Sequence, residues 1–220
     1  DPDGICLNFT RGLPLVLYEP IMVEGFMEKH GTDPRDLDES DPEWLDYMAE
    51  LTTEFVRMVR ETLPESQRLS AMVPGMEKDC RKYGLDIPAL LEQDLIDDLI
   101  PAGIYYNEND VHIDAPDSLD FEYFMNLEGR EKIRLISLLY PWGKFQNDFA
   151  GWLKLFEQHA NGGADALGVW DAVISDRFSR VQYVGDIEEY KFTNRYKFKK
   201  IRLKTLQGFR VDRYHYFEGI

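Results

Sequence analysis

A chain of 220 residues, 44% of them hydrophobic and 13% aromatic, carries enough apolar surface for one folded domain with a sizeable core. Its formal charge of −16 is uneven, net −20 up to residue 180 and +4 beyond it. An acidic body excludes wrapping nucleic acid, whose phosphates need clustered Lys and Arg, and the lack of about 18 uninterrupted apolar residues excludes a transmembrane helix.

No basic-then-apolar leader opens the chain. The start, Asp1-Pro2-Asp3-Gly4, has no initiator Met and reads as the interior of something longer, so an upstream part is expected and localisation cannot be taken from the terminus. The first apolar run, Gly4 to Phe9, reads as a strand. The acidic stretch Asp33 to Asp41 invites calcium, yet it lacks the Gly and final Glu of a helix-loop-helix site and reads as a solvated loop.

Asp41, with Pro42 in the first turn, starts the longest predicted helix, which puts Trp44, Met48, Leu51, Phe55, Met58 and Thr62 on one face. A second strand covers Leu69 to Val73. Asp86 caps a helix from about Ile87 to Asp98, and a third strand runs from Leu99 to Tyr106. Asp117 or Ser118 starts another helix, followed by a strand over Arg134 to Tyr140. From Asn147 a helix turns Phe149, Trp152, Leu153, Phe156 and Ala160 inward and stops at Gly162-Gly163; a fifth strand spans Ala166 to Trp170. After Asp171, Val181 to Val184, Arg195 to Leu206 and Phe209 to Tyr216 read as short β segments, a small appendage over residues 179–220. Its basic stretch Lys191 to Lys204, interleaved with Tyr196, Phe198, Ile201 and Leu203, reads as the solvent face of strands on an acidic body rather than a nucleic-acid patch.

Strand-helix alternation with near-continuous apolar strands is what a parallel sheet covered by helices requires. The later strands recur at the spacing of a barrel of ~250 residues in eight units. Five units cannot close one, and a doubly wound open sheet is the alternative. That sheet wants a Gly-rich phosphate loop after its first strand, which Asn8-Phe9-Thr10-Arg11-Gly12 is not.

Three stretches in order carry a resemblance. They are Asp3-Gly4-Ile5-Cys6-Leu7-Asn8-Phe9-Thr10-Arg11; Tyr83-Gly84-Leu85-Asp86-Ile87 with Asp97-Asp98-Leu99-Ile100-Pro101; and Gly163-Ala164-Asp165-Ala166-Leu167-Gly168-Val169-Trp170-Asp171. Together they resemble the family 10-like glycosyl hydrolases of bacteria. The resemblance implies that residues 1–178 are the C-terminal portion of a (β/α)8 TIM-type barrel, about strands 4 to 8. It also implies an extracellular or envelope setting and a glycan ligand, with a missing N-terminal half or a second copy completing the barrel. Such proteins tend to carry Asp where this chain has Asn8, and the usual carboxylate pair at strands four and seven is absent.

Function in such barrels sits at the C-terminal strand ends. Glycoside hydrolysis needs two carboxyls, about 5 Å apart for retention or about 6.5–9.5 Å for inversion. The acids just past strands are Glu19 and Glu24, Glu77 and Asp79, Glu108 and Asp110, Asp148, and Asp171. Asp171, beside the stacking face of Trp170, and Glu77, after Val73-Pro74-Gly75-Met76, are the expected catalytic pair; either would otherwise cap a turn or sit solvated in a loop. Asn8, Arg11, Tyr106, Trp142 and Trp170 are the expected sugar-binding residues, with Tyr105 beside them. Arg11 would otherwise bridge to Glu19, and the aromatics would otherwise pack as core or lid.

His30, His112, His159 and His215 are scattered, and Cys6 and Cys80 have no metal spacing and read as free thiols, one in a strand and one in a loop. His159 reads as a partly buried structural residue. No Gly-x-Ser-x-Gly or phosphate loop is present, and no cofactor or metal is expected. The expected activity is glycoside hydrolysis of an envelope or extracellular polysaccharide; the alternative is a catalytically silent carbohydrate-binding or scaffold domain.

Overall fold

The computed structural model describes residues 2–10, 15–102, 104–106, 112–114, 119–139, 149–169, 197–201 and 214–218. The chain divides into two compact units, Asp1–Gly168 and Val169–Ile220.

The first unit is α/β. Strands β1 (Gly4–Asn8), β2 (Arg68–Pro74), β3 (Asp98–Ala102), β6 (Arg134–Leu139) and β7 (Ala166–Val169) form one sheet in that order. Gly4 pairs with Arg68, Ser70 with Asp98 and Asp98 with Arg134, all in parallel register. The order follows the sequence without reversal, so the sheet has no switch point of the doubly wound kind. It is open, with β1 at one edge.

Because side chains alternate along a strand, each face has its own composition. Leu69, Ala71, Val73, Leu99 and Leu135 point to one face and are fully buried. There they meet Val56 of α2 (Pro42–Thr62), Cys80 of α3 (Glu77–Lys82), Ile87, Leu90 and Leu91 of α4 (Ile87–Glu92), and Phe124 of α5 (Phe121–Met125). Each Val, Leu, Ile or Phe among them contributes roughly 1.5–3 kcal/mol on leaving water. The opposite face is exposed toward β1, at Cys6 and Asn8, half-buried at Ser70, Met72, Ile100 and Ile136, and buried at Pro74, Asp98, Ala102 and Leu138.

Asp41 caps α2 as its sequence requires, its carboxylate accepting from Glu43 N at 2.9 Å, and Pro42 takes the first turn. The inward face differs from the expected one. Phe55 is 49% and Met58 58% exposed, while Thr52, Thr53 and Val56 are buried. Two layers share this helix. Near its start Trp44, Tyr47 and Met48 enclose Phe26 of α1 (Pro20–His30), with Phe26 and Trp44 edge-to-face at 5.4 Å. Farther on, a different side faces the sheet, and Thr52 Oγ1 removes its polarity by donating to Met48 O at 3.0 Å.

Other expectations are corrected. The helix from Ile87 ends at Glu92 and not at Asp98: Asp94 takes φ 52° after it and Asp98 opens β3. The run from Leu99 to Tyr106 breaks after Ala102; β4 (Ile104–Tyr106) leaves the main sheet and pairs antiparallel with β5 (His112–Asp114). Asp120 caps α5 by accepting from Tyr123 N at 3.0 Å, while Asp117 and Ser118 lie outside the described residues. In α6 (Phe149–Asn161) Ala160 is exposed and His159 buried. Cys80 lies in a helix and not a loop, and both cysteines are free thiols.

In the second unit β8 (Lys197–Ile201) and β9 (Tyr214–Glu218) pair antiparallel, Lys197 opposite Glu218. Val181 to Val184 lie outside the described residues. Among the described residues no helix is long and apolar enough to cross a membrane.

Candidate functional site

Open parallel α/β sheets and closed ones alike bind ligands at the carboxyl ends of their strands. At that end β1 stops on Asn8 and β2 on Pro74. Asn8 lies opposite Met72, on the same face of the sheet. Its Oδ1 accepts two hydrogen bonds, from Thr10 N at 2.9 Å and Thr10 Oγ1 at 2.7 Å, while Phe9 N donates to Met72 O at 2.8 Å. Phe9 and Thr10 are both buried, so the turn after β1 is anchored beneath an exposed amide.

Past β2, Pro74-Gly75-Met76 leads directly into α3. Cys80 Sγ donates to Pro74 O at 3.2 Å, and Asp120 N donates to Gly75 O at 2.7 Å, which fastens the start of α5 to the end of β2. Glu77 is the first residue of α3 and is exposed. Asp79, half-buried, has its carboxyl pushed up by burial, against the opposing pull of Lys78 and Lys82. The Tyr123 phenol is pushed up by burial and then by the negative field of Glu77, Asp86 and Asp120. Sequence reading passed over Thr10, Asp120 and Tyr123. The Thr two places after Asn8 was the available signal for the first, since Asn side chains commonly receive the N–H two residues on.

Of the expected site residues, the structure therefore brings Asn8 and Glu77 to the same end of adjacent strands. Tyr106 belongs to β4, its backbone paired with His112. Arg11, Trp142, Trp170 and Asp171 lie outside the described residues.

The opposite end of the sheet is closed by ion pairs. Asp98, 2% exposed, accepts from Arg68 Nη2 at 2.7 Å, Arg134 Nε at 2.6 Å and Ser70 Oγ at 2.9 Å. Burial pushes its carboxyl up, but those three donors outweigh it and hold it down at about 2. Both oxygens of the Asp98 carboxylate are taken up inside that cluster, which leaves this buried acid nothing for a ligand.

Two further arrangements are structural. Ser137 Oγ bonds His159 Nδ1 on the helix side of the sheet, both buried, with Phe121 stacked on the imidazole at 4.7 Å. A hydroxyl with no exposure cannot meet a substrate. The acids of residues 33–41 act locally: Asp33 holds Arg35, Asp38 holds Ser40, and Asp41 caps α2. Among the described residues no group of three or more His, Cys, Asp or Glu is placed to hold a metal ion. A groove of about 520 Å³ between α2 and α4 is lined by polar groups already partnered, Arg57 hydrogen-bonded to Gln93 and Arg81 ion-paired with Asp46, and by neither Asn8 nor Glu77.

No protein-family model matches the chain, and no curated protein does.

Proposed function

We propose that the carboxyl ends of these strands are a glycan-binding face and that the chain is part of a glycoside-hydrolase-like (β/α)8 barrel. The observation that supports this reading is the sheet itself. A barrel needs parallel strands added in sequence order, helices on one side only, and an inner face of its own composition. Here β1, β2, β3, β6 and β7 follow in order, the helical core lies on one face, and the other carries Cys6, Asn8, Ser70 and Met72. The resemblance to family 10-like glycosyl hydrolases supplies the substrate class, an envelope or extracellular polysaccharide, and an N-terminal half or a second copy would complete the barrel beside β1.

In the hydrolytic reading Glu77 and Asp171 divide the acid and the base or nucleophile roles, and Asn8, Arg11, Tyr106, Trp142 and Trp170 hold the sugar. The second reading is a silent glycan-binding domain. It is favoured by Asn8, an amide where a carboxylate is expected, bonded firmly to Thr10.

Reducing-end release from a panel of polysaccharides decides between them. Turnover lost in Glu77→Gln and in Asp171→Asn supports hydrolysis. Retention on a polysaccharide affinity gel without turnover supports the binding module, and neither turnover nor retention removes the carbohydrate reading.

A further inference from the structure

We infer that Asn8 is the recognition donor of this face, that Thr10 is the residue that positions it, and that the ligand there is an uncharged glycan. The inference rests on the glycan-binding reading above and names what that site selects. An Asn side chain has a donor end and an acceptor end, and its neighbours decide which one faces outward. A backbone N–H can only donate, so the atom 2.9 Å from Thr10 N is the amide oxygen, and the Thr10 hydroxyl approaches that same oxygen at 2.7 Å. The NH2 end is turned the other way, with no partner among the described residues.

Thr10 is fully buried and its hydroxyl lies 3.7 Å from Met72 Sδ on β2, so the group that orients the amide is itself held in place. An Asp at position 8 would keep both bonds from Thr10 and present a charged acceptor outward. The amide therefore reverses the polarity offered to a ligand. A lone amide donor suits a sugar hydroxyl, ring or acyl oxygen. The helix after the next strand carries Glu77 and Asp79 but also Lys78, Arg81 and Lys82, so what a polyanion would have to approach is the chain's net charge of −16.

Calorimetry and side-chain amide NMR on the whole chain test this, with cellohexaose, xylohexaose and chitohexaose as neutral probes and hexagalacturonate as the charged one. One neutral hexamer is expected to bind and to shift the Asn8 NH2 resonance, which is identified by its loss in Asn8→Asp. Asn8→Ala and Asn8→Asp should each weaken that binding roughly five- to tenfold. Thr10→Val should do the same and Thr10→Ser should restore it. Asn8→Asp keeps an oxygen for both Thr10 donors, so that variant remains decisive if Thr10→Val or Asn8→Ala does not fold. Unchanged affinity in both Asn8 variants, an unmoved Asn8 resonance on binding, or preference for hexagalacturonate overturns the inference alone. If no hexamer binds the wild-type chain, the glycan reading falls and this inference falls with it.

Discussion

Leu69 and Asp97 hold each other through two hydrogen bonds: Asp97 N donates to Leu69 O at 2.8 Å, and Leu69 N donates to an Asp97 carboxylate oxygen at 2.7 Å. Arg60, at the end of α2, reaches the same carboxylate at 3.1 Å. The arrangement recurs at Leu135 and Asp165, where Asp165 N donates to Leu135 O at 3.0 Å, Leu135 N donates to the carboxylate at 2.8 Å, and Arg130 supplies the guanidinium at 2.6 Å. In both places the acid just before a strand seals the start of the preceding strand or of its neighbour in the sheet.

Asp97→Ala should lower stability by about 1–3 kcal/mol, because the Leu69 N–H loses its acceptor at a fully buried residue. Asp97→Asn keeps a carbonyl oxygen there and should cost less. Urea unfolding of the pair measures both, and equal midpoints for Asp97→Ala and wild type would show that the clamp contributes nothing.

At the buried Asp98 the sign follows from its lowered value. A carboxylate at about 2 in the folded chain and about 3.9 unfolded stabilises the fold above the unfolded value and ceases to as pH falls through the folded one. Wild type should therefore lose stability between roughly pH 4 and pH 2 through this group, and Asp98→Asn should lack that component while being less stable at pH 7. Parallel acid profiles of the two proteins would contradict the account.

His159 works in a higher window. Burial lowers its imidazole to about 4, so the folded chain keeps it neutral while the unfolded chain protonates near 6.5. Stability from this group is complete above pH 6.5 and is lost as pH falls toward 4, up to about 3 kcal/mol. NMR titration of the His159 ring proton should show no protonation at pH 5.5, and His159→Gln should flatten the unfolding profile between those limits.

Gly84 sits at φ 72° with the site of an added Cβ 2.8 Å from Met48 Cβ. Gly84→Ala should destabilise by about 2 kcal/mol or more, since left-handed strain and collision with α2 act together. A thermal melt within a degree of wild type would mean the backbone can relax there.

Much of the sheet was legible because its strands are short apolar runs bounded by charge: Arg68, Asp98 and Arg134 mark three strand starts, and Asp98 lies opposite Arg134. The cap of α2 was legible in Asp41-Pro42. Its inward face was not, because Thr52 and Thr53 read as polar while Phe55 and Met58 read as core, and only the tertiary neighbours decide otherwise. Helix α1 lacks an amphipathic stripe, with Ile21 exposed and Phe26 buried, and α3 is six residues long; neither gives a periodic signal. At the site Asn8 and Glu77 were legible as polar residues at strand ends, but the polarity of the Asn8 amide depends on where Thr10 folds.

The edge at β1 governs how this polypeptide behaves as a colloid. Where no N-terminal half or second copy covers it, β1 offers main-chain groups to any passing strand, and Ile5, Phe55 and Met58 add exposed apolar surface to the unit. What opposes such encounters is mutual repulsion between chains of charge −16. That repulsion vanishes near the isoelectric point of about 4.6 and is shortened by salt, so dispersal at neutral pH and low ionic strength should give way to clumping in acid or brine.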